Sequence, residues 1–159
     1  MKIVNIHKRL IGHPKSKIDD LLLTLATEND KVWPTEKWPP IRFKEGLTVS
    51  SKGGHGPIKY KVEKIERGRL IYFRFTKPKG FSGVHWFEIN QIGKNQTEIK
   101  HTIDMKTDFG ASLLWLIGIR WLHDALIEDA FDKVENHFSS SFKHSKWSLW
   151  VRFLRKILK

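Results

Sequence analysis

Cysteine is absent from this chain, which excludes disulfides and thiolate metal sites and suits a reducing compartment. Long apolar runs are missing too. The longest uncharged stretch, Phe109 to Ile119, is closed by Arg120 and falls short of the ~20 residues that a bilayer span requires, so it reads as a core helix. The N-terminus, MKIVNIHKRLIG, places His7, Lys8 and Arg9 where a secretory leader carries apolar residues; no signal peptide is expected, and a cytoplasmic location is. Acids are scarce as well, with 17 Asp and Glu against 29 Lys and Arg for a net charge of +12. The tail is poorest in them. From Lys143 onward, Lys143, Lys146, Arg152, Arg155, Lys156 and Lys159 meet no carboxylate and supply half of that net charge. Such concentration calls for a partner, whereas the excess spread over strand positions reads as a solvated face.

What is present is enough for one globular domain: 159 residues, 40% of them hydrophobic, bury roughly two-thirds of the unfolded surface around one core. Residues 2–11 read as a first strand and 14–28 as a short helix carrying Ile18, Leu21, Leu22 and Leu25 on one side. The stretch VWPTEKWPPIRF, residues 32–43, holds three prolines and reads as a rigid connector or edge segment. KGGHGP at 52–57 reads as a flexible hairpin or mouth loop with an exposed His55. Strand-like runs follow, separated by turn signals at Arg67-Gly68, Pro78-Lys79-Gly80 and Gly93-Lys94-Asn95. After Gly110 the period changes, and residues 111–138 read as one helix of about seven turns.

The strands carry uncharged polar groups on the face expected to be apolar. In 97–107 the odd positions are Ile99, His101, Ile103 and Met105, between Glu98, Lys100, Thr102, Asp104 and Lys106. The same alternation turns His85, Phe87 and Ile89 inward, and with them Ile58, Tyr60 and Val62. Two imidazoles and a phenol among aliphatics suggest a pocket.

GGHGPIKY at 53–60, FRFTKPKGFSGVHWFEI at 73–89 and WLHDALIEDAFDKVE at 121–135, with WPTEKWPP upstream, resemble an uncharacterised branch of the START-like superfamily, the polyketide cyclase/dehydrase and Bet v 1 type also called SRPBCC. The resemblance covers residues 1 to about 138 and divides the chain into a domain at 1–141 and a basic amphipathic tail at 142–159. It implies an α+β helix-grip fold, a curved antiparallel sheet wrapped around a long C-terminal helix, with a hydrophobic cavity between them.

Tyr60, Phe73, His85, Phe87 and His101 are accordingly assigned to a ligand site, completed by Ile103, Trp115, Ile119 and His123. A neutral imidazole there can anchor a carbonyl or hydroxyl, and can also act as a general base. His123, Asp124, Glu128 and Asp129 read as a solvated acidic patch with packing support, because their spacing lacks the His-to-His i,i+4 arrangement of a metal site. Trp33 and Trp38 are candidates for stacking, and Trp115 ranks above Trp86 as a cavity residue. In HSKWSLWVRFLRKILK, Trp147, Trp150, Arg152, Arg155 and Lys156 are assigned to contact with an anionic membrane; docking back onto the domain is the alternative. The expected function is binding or transport of a small hydrophobic molecule or lipid, peripheral to the inner face of the membrane. The alternative is a cyclase or hydrolase acting on an aromatic or polyketide-like substrate through a cavity histidine. No catalytic residue, metal ligand or cofactor is assigned, and nucleic acid is not an expected partner, since the basic residues follow no recognition motif.

Overall fold

Alternation of apolar and polar side chains dominates the computed structural model, which describes residues 1–158. It produces β1 (Lys2–Ile11), β2 (Arg42–Phe43), β3 (Lys52–His55), β4 (Ile58–Glu66), β5 (Leu70–Lys77), β6 (Phe81–Gly93) and β7 (Gln96–Thr107). All pair antiparallel in one sheet of order β1-β7-β6-β5-β4-β3-β2. The expected turn signals occupy the β4/β5, β5/β6 and β6/β7 connections. The concave face buries Tyr60, Val62, Phe73, Phe87, Ile99 and Ile103.

Helix α1 (Lys15–Leu23) is shorter than the pattern over 14–28 suggests. The Asp30 carboxylate accepts from the amides of Ala26, Val32 and Trp33, and the Thr24 hydroxyl donates to the Leu21 carbonyl, so the chain turns where a helix would have continued. KGGHGP is also not a loose loop. Gly53 and Gly54 are strand residues squeezed between neighbours: a Cβ on Gly53 would lie 2.0 Å from the Arg42 carbonyl oxygen, and Gly54 has φ +140°.

The long helix is three pieces. Asp108 caps α2 (Phe109–Leu114) by accepting from the Ala111 amide at 2.8 Å; a π-helical turn (Trp115–Ile119) follows; and α3 (Arg120–Asn136) crosses the sheet. The wider turn alters which carbonyls are free, and the Trp121 indole donates to that of Leu116 at 3.0 Å. Beyond α3, Asn136 holds both backbone groups of Lys143 and the Ser145 amide donates to Asp132, which leads the chain back along α3 to α4 (Leu149–Ile157), capped by Ser148. No described helix is long and apolar enough to cross a membrane.

Candidate ligand cavity

The β6/β7 register sets His85 opposite Ile103 and His101 opposite Phe87, so the two imidazoles are diagonal neighbours on the concave face. His85 Nδ1 and His101 Nε2 are 3.3 Å apart, and both rings are buried. Tyr60 meets His85 edge-on with centroids 4.7 Å apart, and Phe73 stacks on it at 4.8 Å. From the opposite wall, the π turn contributes Trp115 and Ile119, and α3 brings His123 within 5.0 Å of the His101 ring. These residues, with Phe87 and Ile103, line one cavity of about 290 Å³. All nine residues assigned to a ligand site in the sequence thus lie around a single space.

The wall is carbon except for a few polar atoms, and those have a definite chemistry. Burial holds His85 and His101 well below the usual imidazole range, and repulsion from neighbouring histidines adds to it. Burial lowers His123 too, partly offset by Asp124. Neutral imidazoles carry one donor and one acceptor each. If His85 Nδ1 donates to His101 Nε2, then His85 Nε2 is an acceptor and His101 Nδ1 a donor; if the bond runs the other way, the roles exchange. In either tautomer the pair offers one donor and one acceptor at its far ends. Those ends, His85 Nε2 and His101 Nδ1, are buried without a hydrogen-bond partner in the protein, and so is His123 Nε2.

No family model matches the sequence, and no curated protein matches it. Solved structures do. Norcoclaurine synthase from Thalictrum flavum, in complex with dopamine and hydroxybenzaldehyde, superposes with a TM-score of 0.66 at 14% identity, over 89% of this chain and 90% of its own. A protein from Thermobifida fusca gives 0.65 at 10% identity over 90% of this chain and 99% of its own. One from Micromonospora echinospora gives 0.60 at 12% identity, over 99% and 84%. The chain has the Bet v 1-like helix-grip fold.

Within this helix-grip frame, several residues sit elsewhere than their sequence context suggests. His55 is not exposed: it lines the cavity, packs tilted against Trp33 with centroids 4.7 Å apart, lies 3.1 Å from the Tyr60 hydroxyl, and burial pushes it down to about 3. Two glycines and a neighbouring turn hid a strand, and with it an inward side chain. Trp33, Trp38 and Phe75 also reach the cavity, while Trp86 stacks on Tyr72 away from it.

The acidic run on α3 is not a solvated patch. Asp129 is buried and accepts from the Trp38 and Trp147 indoles, each at 2.8 Å, and from Lys37 at 2.7 Å. Asp132 and Glu135 hold Arg9 of β1. His7, His123 and Asp124 approach closely enough to suggest metal ligation. Yet His7 spends both ring nitrogens on carboxylates, 2.9 Å from Glu128 and 3.0 Å from Asp124, forming an ion-pair network between β1 and α3. Burial alone would lower His7, but those two hydrogen bonds outweigh it and raise its pKa.

The tail folds back. Val151 and Leu154 are buried, and the Arg155 guanidinium lies over Trp38 at 4.4 Å, donates to the Lys37 carbonyl and lines the cavity with Leu158. Trp147 and Arg155, assigned to a membrane from helical periodicity, therefore face the domain: Asp129 and Trp38 offer them an internal anchor that periodicity cannot reveal. Trp150, Arg152 and Lys156 remain outside.

Proposed function

We propose that the protein carries or senses a small hydrophobic molecule bearing a hydroxyl or carbonyl, held between sheet and helix. The supporting observation is the set of buried, uncharged imidazole nitrogens without protein partners in an otherwise carbon wall, since unpaired buried polar atoms cost about 1–3 kcal/mol each unless a ligand or water meets them. At about 290 Å³ the cavity is at the small end of ligand pockets, which span roughly 300–1,000 Å³. That suits a single acyl chain or a fused-ring compound better than a two-chain lipid. Apolar burial supplies affinity at ~25 cal/mol per Å², and the imidazoles and Tyr60 set orientation. The outward face of the tail, with Trp150, Arg152 and Lys156, belongs to the same reading as the part that meets an anionic membrane. A fold neighbour solved with dopamine and hydroxybenzaldehyde agrees with a small, partly polar guest.

The test is native mass spectrometry with organic extraction of the full chain purified without denaturation. A co-purifying small molecule, retained by wild type and lost or exchanged for another in His85→Leu/His101→Leu, is the expected result. An empty protein that also takes up no fluorescent acyl or aromatic probe would sink the reading.

The enzyme alternative draws on one feature. His123 has Asp124 3.5 Å behind its Nδ1, at the outer edge of hydrogen bonding, and presents Nε2 on the cavity side of the helix, an arrangement in which a carboxylate steadies a base. It predicts a turnover that His123→Ala abolishes while binding survives.

A further inference from the structure

The outer faces of α2, the π turn and α4 carry large apolar side chains that nothing in the fold covers. On the first pair, Phe109 is 89% exposed, and Leu113, Leu116 and Ile117 are exposed too, with Trp121 exposed just beyond them at the start of α3. On α4, Leu149 is 77% exposed, joined by Trp150, Phe153 and Ile157. The two strips meet: the Trp150 indole donates to the Ile117 carbonyl at 2.9 Å and its ring stacks on Phe153 at 5.4 Å. An amphipathic α4 explains only one of its own faces, since Val151 and Leu154 already serve the core. A contiguous patch of this kind marks a docking surface.

Charge selects the occupant. Residues 109–123 contain no acid, and neither does anything after Glu135. Arg120, Lys146, Arg152 and Lys156 stand exposed around the aliphatics. A second copy of the chain would bring this basic rim against its own like charges. Nucleic acid would meet the rim but leave the aliphatic side chains unburied. An anionic bilayer satisfies both, with phosphates for the rim and acyl boundary for the centre, and tryptophan suits the depth between them.

We infer that α2, the π turn and α4 together form one composite surface that seats on an anionic lipid bilayer. This rests on the membrane half of the proposed function and is independent of what the cavity holds. The surface is not the tail alone, because half of it comes from the segment before α3.

Vesicle co-sedimentation of the full chain tests it, using phosphatidylcholine vesicles with and without about one-third phosphatidylserine. Wild type is expected to sediment with the anionic vesicles only. Ile117→Glu and Phe153→Glu, at positions 52% and 51% exposed and so tolerant of substitution, each lower the affinity about tenfold or more, with thermal melts verifying the fold. Val4→Glu, 57% exposed on β1, leaves it unchanged. If only Phe153→Glu loses binding, the composite surface is wrong and the tail acts alone. If wild type ignores anionic vesicles, the membrane reading falls with it. A dimer dissolved by both substitutions would overturn the inference and assign the patch to self-association.

Discussion

Burial keeps His85, His101 and His123 uncharged, while hydrogen bonds to Asp124 and Glu128 raise the pKa of His7 on β1. The two sets respond to pH with opposite sign. For a histidine whose folded pKa is lowered, stability is present above the unfolded value, about 6.5, and is lost as pH falls below it. His7, with a raised folded pKa, contributes below about 6.5 and loses that contribution as pH rises through the raised value. Each excluded proton costs about 1.4 kcal/mol per pH unit once the pH is under the unfolded pKa, so acid unfolding should begin in the mildly acidic range. Denaturant melts from pH 7 to 5 check this: wild type loses stability steeply, and His101→Leu has a shallower slope. An unchanged slope in the variant would mean that His101 already titrates normally in the fold. The inward direction of His101 is legible in the alternation of 97–107; the partner of its Nε2 is not, because the hairpin register is a property of two strands together.

Elements follow the same division. Period two, period 3.6 and the glycine turns mark β4 to β7 as antiparallel neighbours and locate the long helix, since one face of each must be buried, whereas the pairing of β1 with β7 is not in those patterns. The π turn at Trp115–Ile119 was not legible, because an apolar stretch without polar contrast carries no phase. Nor was β3, built from glycines that propensity places in loops. The docking of α4 depends on Asp129, a single buried carboxylate that joins the proline-rich connector, α3 and the tail. Asp129→Ala strands two indole N–H groups and removes the Lys37 partner, at a cost of about 2–4 kcal/mol. The loss should show in equilibrium denaturation, together with faster proteolysis between residues 139 and 148. Stability within about 0.5 kcal/mol of wild type would mean that Val151 and Leu154 hold the tail unaided.

At the scale of the molecule, the cavity edge and the uncovered surface share two segments. Trp115 and Ile119 of the π turn, and Arg155 and Leu158 at the chain end, line the cavity, while Leu116, Ile117, Trp150 and Phe153 of the same segments face out. A sequence cannot show this, because it requires one helix to divide its faces between an interior and a surface that is itself made of two elements. The consequence is kinetic. If this surface seats on a bilayer, the cavity opens next to lipid, and a guest can pass without crossing bulk water. A fluorescent acyl probe loaded into the protein should then move to acceptor vesicles at a rate that rises in proportion to vesicle concentration. Anionic vesicles should accept it faster than neutral ones, and the difference should shrink between roughly 0.05 and 0.5 M salt as the basic rim is screened. Release into water followed by diffusion gives the opposite signature, a rate independent of vesicle concentration, charge and salt, and stopped-flow energy transfer from probe to vesicle distinguishes the two. The slope against vesicle concentration should collapse in Ile117→Glu with the probe's equilibrium affinity intact, because Ile117 lies outside the cavity and only the encounter has been changed.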